Sequence, residues 1–312
     1  MESQEREALL TIALLAAFAD GAHDDRERAE IRRAADALAA ELNVPGLYQD
    51  VLLKRVDVGA AVARLRSDAA RKLAYEVAVG VCEADGLRNE SETRFLAQLG
   101  TALGLGQPEI AATAATADAL ATVPLPGPAA AGAVVSAVPA ADPAELDSMI
   151  LKAAVLNGAL ELLPQSLASM AIIPLQMKLV YRIGKAHGYE LDRGHVTDLL
   201  ATLGVGLTGQ YLEQVGRKLV GGLFGQVVGG LVGSLARGAT GAAFSFATTY
   251  ALGQVARRYY AGGRTLSAEM LQRTFSEMFA QGKELQARYT AQIEQQARAV
   301  DVGRLVQMVR SE

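Results

Sequence analysis

Residues 12–31, IALLAAFADGAHDDRERAEI, and residues 77–96, VAVGVCEADGLRNESETRFL, carry one pattern twice, 65 positions apart. In the first copy Phe18-Ala19-Asp20-Gly21 is followed by Glu27; in the second Glu83-Ala84-Asp85-Gly86 is followed by Glu92. The flanks agree as well. Ile12, Ala13 and Leu14 fall on Val77, Ala78 and Val79, while Ile31 and Leu38 fall on Leu96 and Leu103. Each copy reads as an apolar helix, an Asp-Gly turn and a second helix that begins acidic. Gly21 and Gly86 allow the positive φ that stops the first helix. Asp24 or Asp25, and Asn89 or Ser91, can cap the second, where negative charge meets the positive end of the helix dipole.

The rest of the chain agrees with an all-α reading. Of 312 residues 51% are hydrophobic and 21% charged, enough to bury a sizeable core. The apolar fraction comes from Ala, Leu and Val, with 5% aromatics and no Trp, which favours helices over a β-sandwich. A single cysteine excludes a disulfide framework and a Cys-based zinc site. The amino end, MESQEREALL, is charged and shows no apolar h-region, so no cleavable secretory signal is expected and the cytoplasmic face is the natural compartment.

Charge is unevenly shared. Residues 1–118 carry 20 acidic and 13 basic side chains, and residues 119–312 carry 14 and 17. An acidic head argues against nucleic acid, whose binding needs a basic surface that releases counterions. A slightly basic, glycine-rich tail half is compatible with anionic lipid. Between the halves lies ATVPLPGPAAAGAVVSAVPAADP, residues 121–143, with five of the nine prolines and no charge before Asp142. Those prolines forbid a continuous helix, so the segment reads as a semi-extended linker. It stops at Asp142-Pro143-Ala144-Glu145, a cap followed by Pro at the first helical position and Glu three after the cap. The division is thus 1–120, a linker at 121–143, and 144–312.

The paired Ala-Asp-Gly-(five residues)-Glu units resemble the TerB-like helical domain of tellurite resistance, over about residues 5–118. The resemblance implies a helical bundle that gathers the acidic residues of both repeats and binds a divalent metal. Carried over position by position, the metal candidates are Asp20, Glu27, Asp85 and Glu92, with Asp24 and Glu30 as second choices. Independently of family, oxygen-only ligands suit hard cations such as Ca²⁺, Mg²⁺ or Mn²⁺. The loop from Asp20 to Glu27 is too short for an EF-hand. The competing reading is that the four acids cap helices and face water.

Beyond the linker, helix follows helix. Pro174 should kink its helix or begin a new segment. A helix near Asp192–Lys218 is interrupted by glycines, and a long amphipathic helix starts near Thr265-Leu266-Ser267. The latter sets Leu271, Phe275, Met278, Leu285, Tyr289 and Ile293 along one side. Packing on its own domain is its default, and docking a partner helix or self-association into a homo-oligomer is the alternative. Leu219–Ala236 and Gly238–Ala256 run 18 and 19 residues without a charge, long enough as helices to approach the thickness of a bilayer. Gly221, Gly225, Gly229 and Gly233 recur every four residues and form a flat seam for close helix contact, most useful in lipid. Gln226, Ser234, Thr240, Ser245, Thr248 and Thr249 weaken both spans. A membrane-inserted or lipid-docked hairpin therefore stands against a buried helical core.

A second resemblance lies here. Asn157-Gly158-Ala159 with Leu163-Pro164, Ile173-Pro174-Leu175-Gln176-Met177-Lys178, Ile183-Gly184-Lys185-Ala186-His187-Gly188-Tyr189-Glu190-Leu191 and Ala247-Thr248-Thr249-Tyr250-Ala251-Leu252-Gly253 resemble the YcjF-type domain of unknown function, over about 144–265. That domain is often fused to, or encoded beside, Era-like GTPases. The resemblance implies a helical, membrane-associated module and supplies no catalytic residues.

Other motifs point nowhere. Gly204-Val205-Gly206-Leu207-Thr208-Gly209 satisfies GxGxxG without the strand that a dinucleotide site needs. Neither Gly184-Lys185 nor Gly282-Lys283 completes a P-loop. His187 and His195 flank a turn and suit a loop or interface role, and Cys82 reads as a small core residue. The expectation is a non-enzymatic, membrane-associated adaptor or stress-response protein on the cytoplasmic side of the inner membrane, with no established cofactor. Its acidic head would sense a divalent cation or recruit a partner. The alternative is a soluble regulatory scaffold that binds a small GTPase through the C-terminal helices.

Overall fold

The computed structural model describes residues 2–19, 31–32, 43–84, 89–121, 125, 142–163, 166–203, 207–220 and 231–310. Among these residues every regular element is a helix, so the fold is all-α. In chain order they are α1 (Ser3–Ala17), α2 (Val44–Leu52), α3 (Val58–Val62), α4 (Asp68–Cys82), α5 (Glu90–Leu103), α6 (Gln107–Ala121) and α7 (Pro143–Glu161). There follow α8 (Ser166–Met170), α9 (Ile172–Ala186), α10 (Arg193–Thr202), α11 (Leu207–Val220), α12 (Leu231–Ala261), α13 (Ala268–Ala299) and α14 (Val302–Arg310).

Two compact units form. One comprises Met1–Thr122, Leu163–Met170 and Gly206–Gly238, the other Val123–Leu162, Ala171–Val205 and Ala239–Glu312. This grouping differs from the linear division 1–120, 121–143 and 144–312. The segments carrying α8 and α11 lie beyond the linker in sequence yet pack with the first unit. Shape explains α11: Gly80 on α4 leaves the space that the phenol of buried Tyr211 fills, and a Cβ at Gly80 would collide with it.

The repeat of the first unit is visible in its helices. Both α1 and α4 span 15 residues, each begins and ends 65 positions from the other, and the two pack side by side. α1 is buried almost all round, through Ala8, Leu9, Leu10, Ile12, Ala13 and Leu14, which makes it a central rather than a surface helix. On α4, Val77, Ala78, Val79 and Cys82 are buried in turn. The equivalence continues beyond the turns, since Ile31 and Leu96 are both core residues.

α5 starts with a reciprocal cap. The Glu92 N–H donates to Asn89 Oδ1 at 2.9 Å, and the Asn89 N–H donates to Glu92 Oε2 at 2.8 Å. Gly104, at φ +70°, ends the helix in the left-handed conformation that glycine adopts freely. Asn89→Ala is expected to cost about 1 kcal/mol in chemical denaturation, and Glu92→Gln much less, because Gln can still accept at the N-cap.

The second unit is a helical layer built around α12. From Ala242 onward that helix is core: Phe246, Ala247, Ala251, Leu252, Val255 and Ala256 are all essentially inaccessible. Its neighbours come close because they lack side chains at the crossings. A Cβ on Gly282 of α13 would lie 2.9 Å from Ala247 Cα, and one on Gly253 would lie 2.7 Å from Ile150 of α7. α7 begins as its sequence suggests, with Asp142 Oδ1 accepting from the Ala144 N–H at 3.0 Å and Pro143 in the first turn. Pro174 sits in the first turn of α9, where a missing N–H breaks no helical bond. α13 is the long amphipathic helix. Ser267 caps it, and it turns Leu271, Gly282 and Ile293 into its own unit.

Among the described residues no helix is long and apolar enough to cross a membrane. The portion Ala242–Ala256 of the second apolar stretch is packed in protein. Of the glycine seam, Gly221, Gly225 and Gly229 lie outside the described residues, and Gly233 falls within α12 with its surroundings also outside them.

Candidate functional site

The acidic turns come first. Asp20, Glu27 and Asp85, together with Asp24 and Glu30, lie outside the described residues. Glu92 is described, and its carboxylate serves the helix cap of α5. Among the described residues no group of three or more His, Cys, Asp or Glu could hold a metal ion. Elsewhere the polar side chains that suggested sites do structural work. His187 Nδ1 lies 2.9 Å from the Ile183 carbonyl, one turn back on α9. Asp192 caps α10, accepting from the His195 N–H at 2.9 Å and standing 2.8 Å from His195 Nδ1. The His195 N–H, set against a smaller opposing effect of burial, holds the Asp192 carboxyl below its usual value, and the imidazole adds to that. Cys82 is buried in the core of the first unit.

The second unit holds a buried polar seam. Thr249 Oγ1 accepts from Asn157 Nδ2 at 2.9 Å and from Gln176 Nε2 at 3.0 Å, and donates to the Ser245 carbonyl at 2.8 Å. Ser245 Oγ in turn donates to Glu161 Oε2 at 3.0 Å. Three separate blocks of the YcjF-type resemblance, around Asn157, Gln176 and Thr249, thus meet at one hydroxyl. These bonds explain how most of so polar a stretch as 245–254 sits in a core: Ser245, Thr249 and Gln254 bond to protein, while the buried Thr248 Oγ1 has no partner. At the edge of the unit Asp147 accepts from Gln254 Nε2 at 3.0 Å and from Arg257 Nη1 at 2.6 Å.

Next to the seam a cleft of about 720 Å³ opens between α7 and α9, with Met308 of α14 at its side. Both long walls arise from helical spacing. α7 supplies Glu145, Ser148, Met149, Lys152 and Leu156, and α9 supplies Leu175, Lys178, Leu179 and Arg182. Positions three, four and seven apart share a helix face, so each helix presents an apolar stripe edged by charge. Lys152 and Arg182 are exposed at the rim. Lys178 is buried, and its Nζ donates to the Met308 carbonyl at 2.8 Å, with the Val309 carbonyl at 3.4 Å. It thereby closes the last turn of α14, where unpaired carbonyls favour a cation. Burial, and secondarily the positive charge of Arg182, pulls the Lys178 ammonium below the usual lysine value. Asn157 is fully buried at the cleft, and its Oδ1 has no hydrogen-bond partner.

The cleft has no distinctive signature within a single helix of the sequence. Its cations at 152, 178 and 182 look like an ordinary solvated face until α7 and α9 are brought together. The signal available was the apolar-basic pattern of Leu175, Lys178, Leu179 and Arg182 on one face of α9.

Residues 1–117 match the family model described as "Protein of unknown function (DUF533)". That family is TerB-like. The match covers the segment in which the Asp-Gly repeat was read and stops before the linker. It brings no evidence for a YcjF-type second half. No curated protein and no solved structure matches the chain.

Proposed function

We propose that this protein is a non-enzymatic adaptor that joins its TerB-like segment to a helical binding module and works at the surface of the inner membrane, on the cytoplasmic side. The single observation supporting surface attachment over a spanning hairpin is the burial of Ala242–Ala256 among α7 and α13, with Ser245, Thr249 and Gln254 bonded to protein groups. A helix packed in a core, with Ser245, Thr249 and Gln254 already bonded there, would give up those bonds by leaving it for lipid. Attachment then falls to the region of Gly221, Gly225, Gly229 and Gly233. The slightly basic balance of residues 119–312 suits anionic headgroups.

The head would recruit a partner or sense Ca²⁺, Mg²⁺ or Mn²⁺ through Asp20, Glu27, Asp85 and Glu92. A stress response is the natural setting for such a sensor. Since Glu92 already caps α5 through Oε2, its part in ion binding would compete with that cap. The second reading is a regulatory scaffold that binds a small GTPase through the C-terminal helices. It draws on the resemblance carried by Asn157, Gln176 and Thr249.

Flotation of the full chain with liposomes containing anionic lipid tests the first reading. We expect co-flotation that high salt reverses. Retention until detergent is added would overturn surface attachment. Failure to float at any salt concentration would overturn membrane association and favour the scaffold.

A further inference from the structure

We infer that the cleft between α7 and α9 is a binding site for a single-chain amphipathic anion, an alkyl carboxylate whose head lies at Lys152 and Arg182 and whose chain runs between Met149, Leu156, Leu175 and Leu179. This goes beyond the adaptor reading and stands or falls without a membrane.

Size selects a small molecule. At about 720 Å³ the cleft lies in the range of small-molecule sites, roughly 300–1,000 Å³, whereas a docking helix is about 10–12 Å across and needs a long open groove. Charge selects an anion. Lys152, Lys178 and Arg182 line the cleft against one acid, Glu145, on a chain whose formal net charge is −4. Three cations against one carboxylate give the cleft a positive balance that draws a negative head. The distribution of the charges selects an amphipathic molecule. Exposed Lys152 and Arg182 stand at the rim, while Met149, Leu156, Leu175 and Leu179 give the walls their apolar surface beside the polar Ser148 and Asn157. Met149 and Met308 add unbranched side chains that adapt to a flexible chain. Lys178 lies deeper, committed to the carbonyls of α14; burial and the charge of Arg182 lower its basicity, and a bound carboxylate would offset that positive charge.

The test is isothermal titration of the full chain with decanoate and dodecanoate below their micelle concentrations, with dodecanol and dodecyltrimethylammonium as controls. One saturable site is expected for the carboxylates. Two added methylenes should tighten binding roughly tenfold, and the neutral and cationic controls should bind at least tenfold more weakly. Lys152→Glu with Arg182→Glu should weaken dodecanoate at least tenfold. Ser148→Trp, from an exposed lining position, should abolish binding by filling the cleft. Both changes are at the surface, and circular dichroism verifies that each variant keeps its helices; if the charge-reversed chain does not fold, Ser148→Trp carries the test alone. Equal affinity for dodecanol, affinity unchanged by the variants, or heat only at micelle-forming concentrations would overturn the site. None of these outcomes depends on vesicles, so this inference and the flotation result fail separately.

Discussion

Thr249→Val is expected to destabilise the second unit by about 2–5 kcal/mol in urea denaturation. Valine fills nearly the same volume, so the loss is not one of packing. It removes the oxygen that accepts from both Asn157 Nδ2 and Gln176 Nε2, in a place where Asn157 and Thr249 are fully buried and Gln176 nearly so. A buried donor left without its partner costs about 1–3 kcal/mol, and here two donors lose one acceptor. The hydroxyl proton matters less, because it goes to the Ser245 carbonyl, which already belongs to the helical ladder of α12. The control is Asn157→Leu. If Thr249 acts through Asn157, Thr249→Val should cost clearly less in a chain already carrying Asn157→Leu than in the wild type, the mark of coupled sites. A loss below 1 kcal/mol, or full additivity, would show that the three side chains do not work as a network.

That network also shows where sequence reasoning reaches and where it stops. The Asp-Gly repeat was legible because everything needed is local. Apolar periodicity and cap residues sit within one turn of where they act, so α1 and α4 emerge with equal lengths at the same 65-residue offset. Asp142 was readable as a cap for the same reason, and Asn89 was one of two cap candidates beside Ser91. The membership of α11 in the first unit was not readable. It depends on Tyr211 meeting the bare backbone of Gly80, 131 positions away, and nothing local in either residue announces the other.

Four-residue spacing marks Gly221, Gly225, Gly229 and Gly233, whose surroundings lie outside the described residues. Among the described residues of the second unit, Gly158, Gly253 and Gly282, on three different helices, permit close helix approach. Periodicity identifies a stripe on one helix. It cannot identify a crossing, to which each helix contributes a single residue. The cleft escaped notice for a related reason: its cations are ordinary on each helix and become a site only when two helices and Met308 meet.

In the first unit the largest single effect is expected at Glu5. Its carboxylate is 6% exposed and joins the starts of both repeat helices. Oε1 accepts from the N–H groups of Arg66 and Ser67, each at 3.2 Å, and from Ser67 Oγ at 3.3 Å; Oε2 accepts from the Glu2 N–H at 3.4 Å. Ser67 is itself the cap of α4, and Glu2 the cap of α1. Burial alone would raise the carboxyl's pKa, but these donors outweigh it and hold the group below its ordinary value of 4.5. Bonds to a charged acceptor contribute about 1.5–3 kcal/mol, so Glu5→Ala should lower stability by about 3 kcal/mol at neutral pH. The pH dependence has a definite sign. A carboxyl that binds its proton less readily when folded stabilises the fold fully above the unfolded value, and that contribution disappears as pH falls through the folded one. The stability gap between wild type and Glu5→Gln should therefore be constant above about pH 6 and shrink steadily below about pH 4.5. A gap that stays the same from pH 7 to pH 3 would mean that Glu5 acts by filling space and not through its charge.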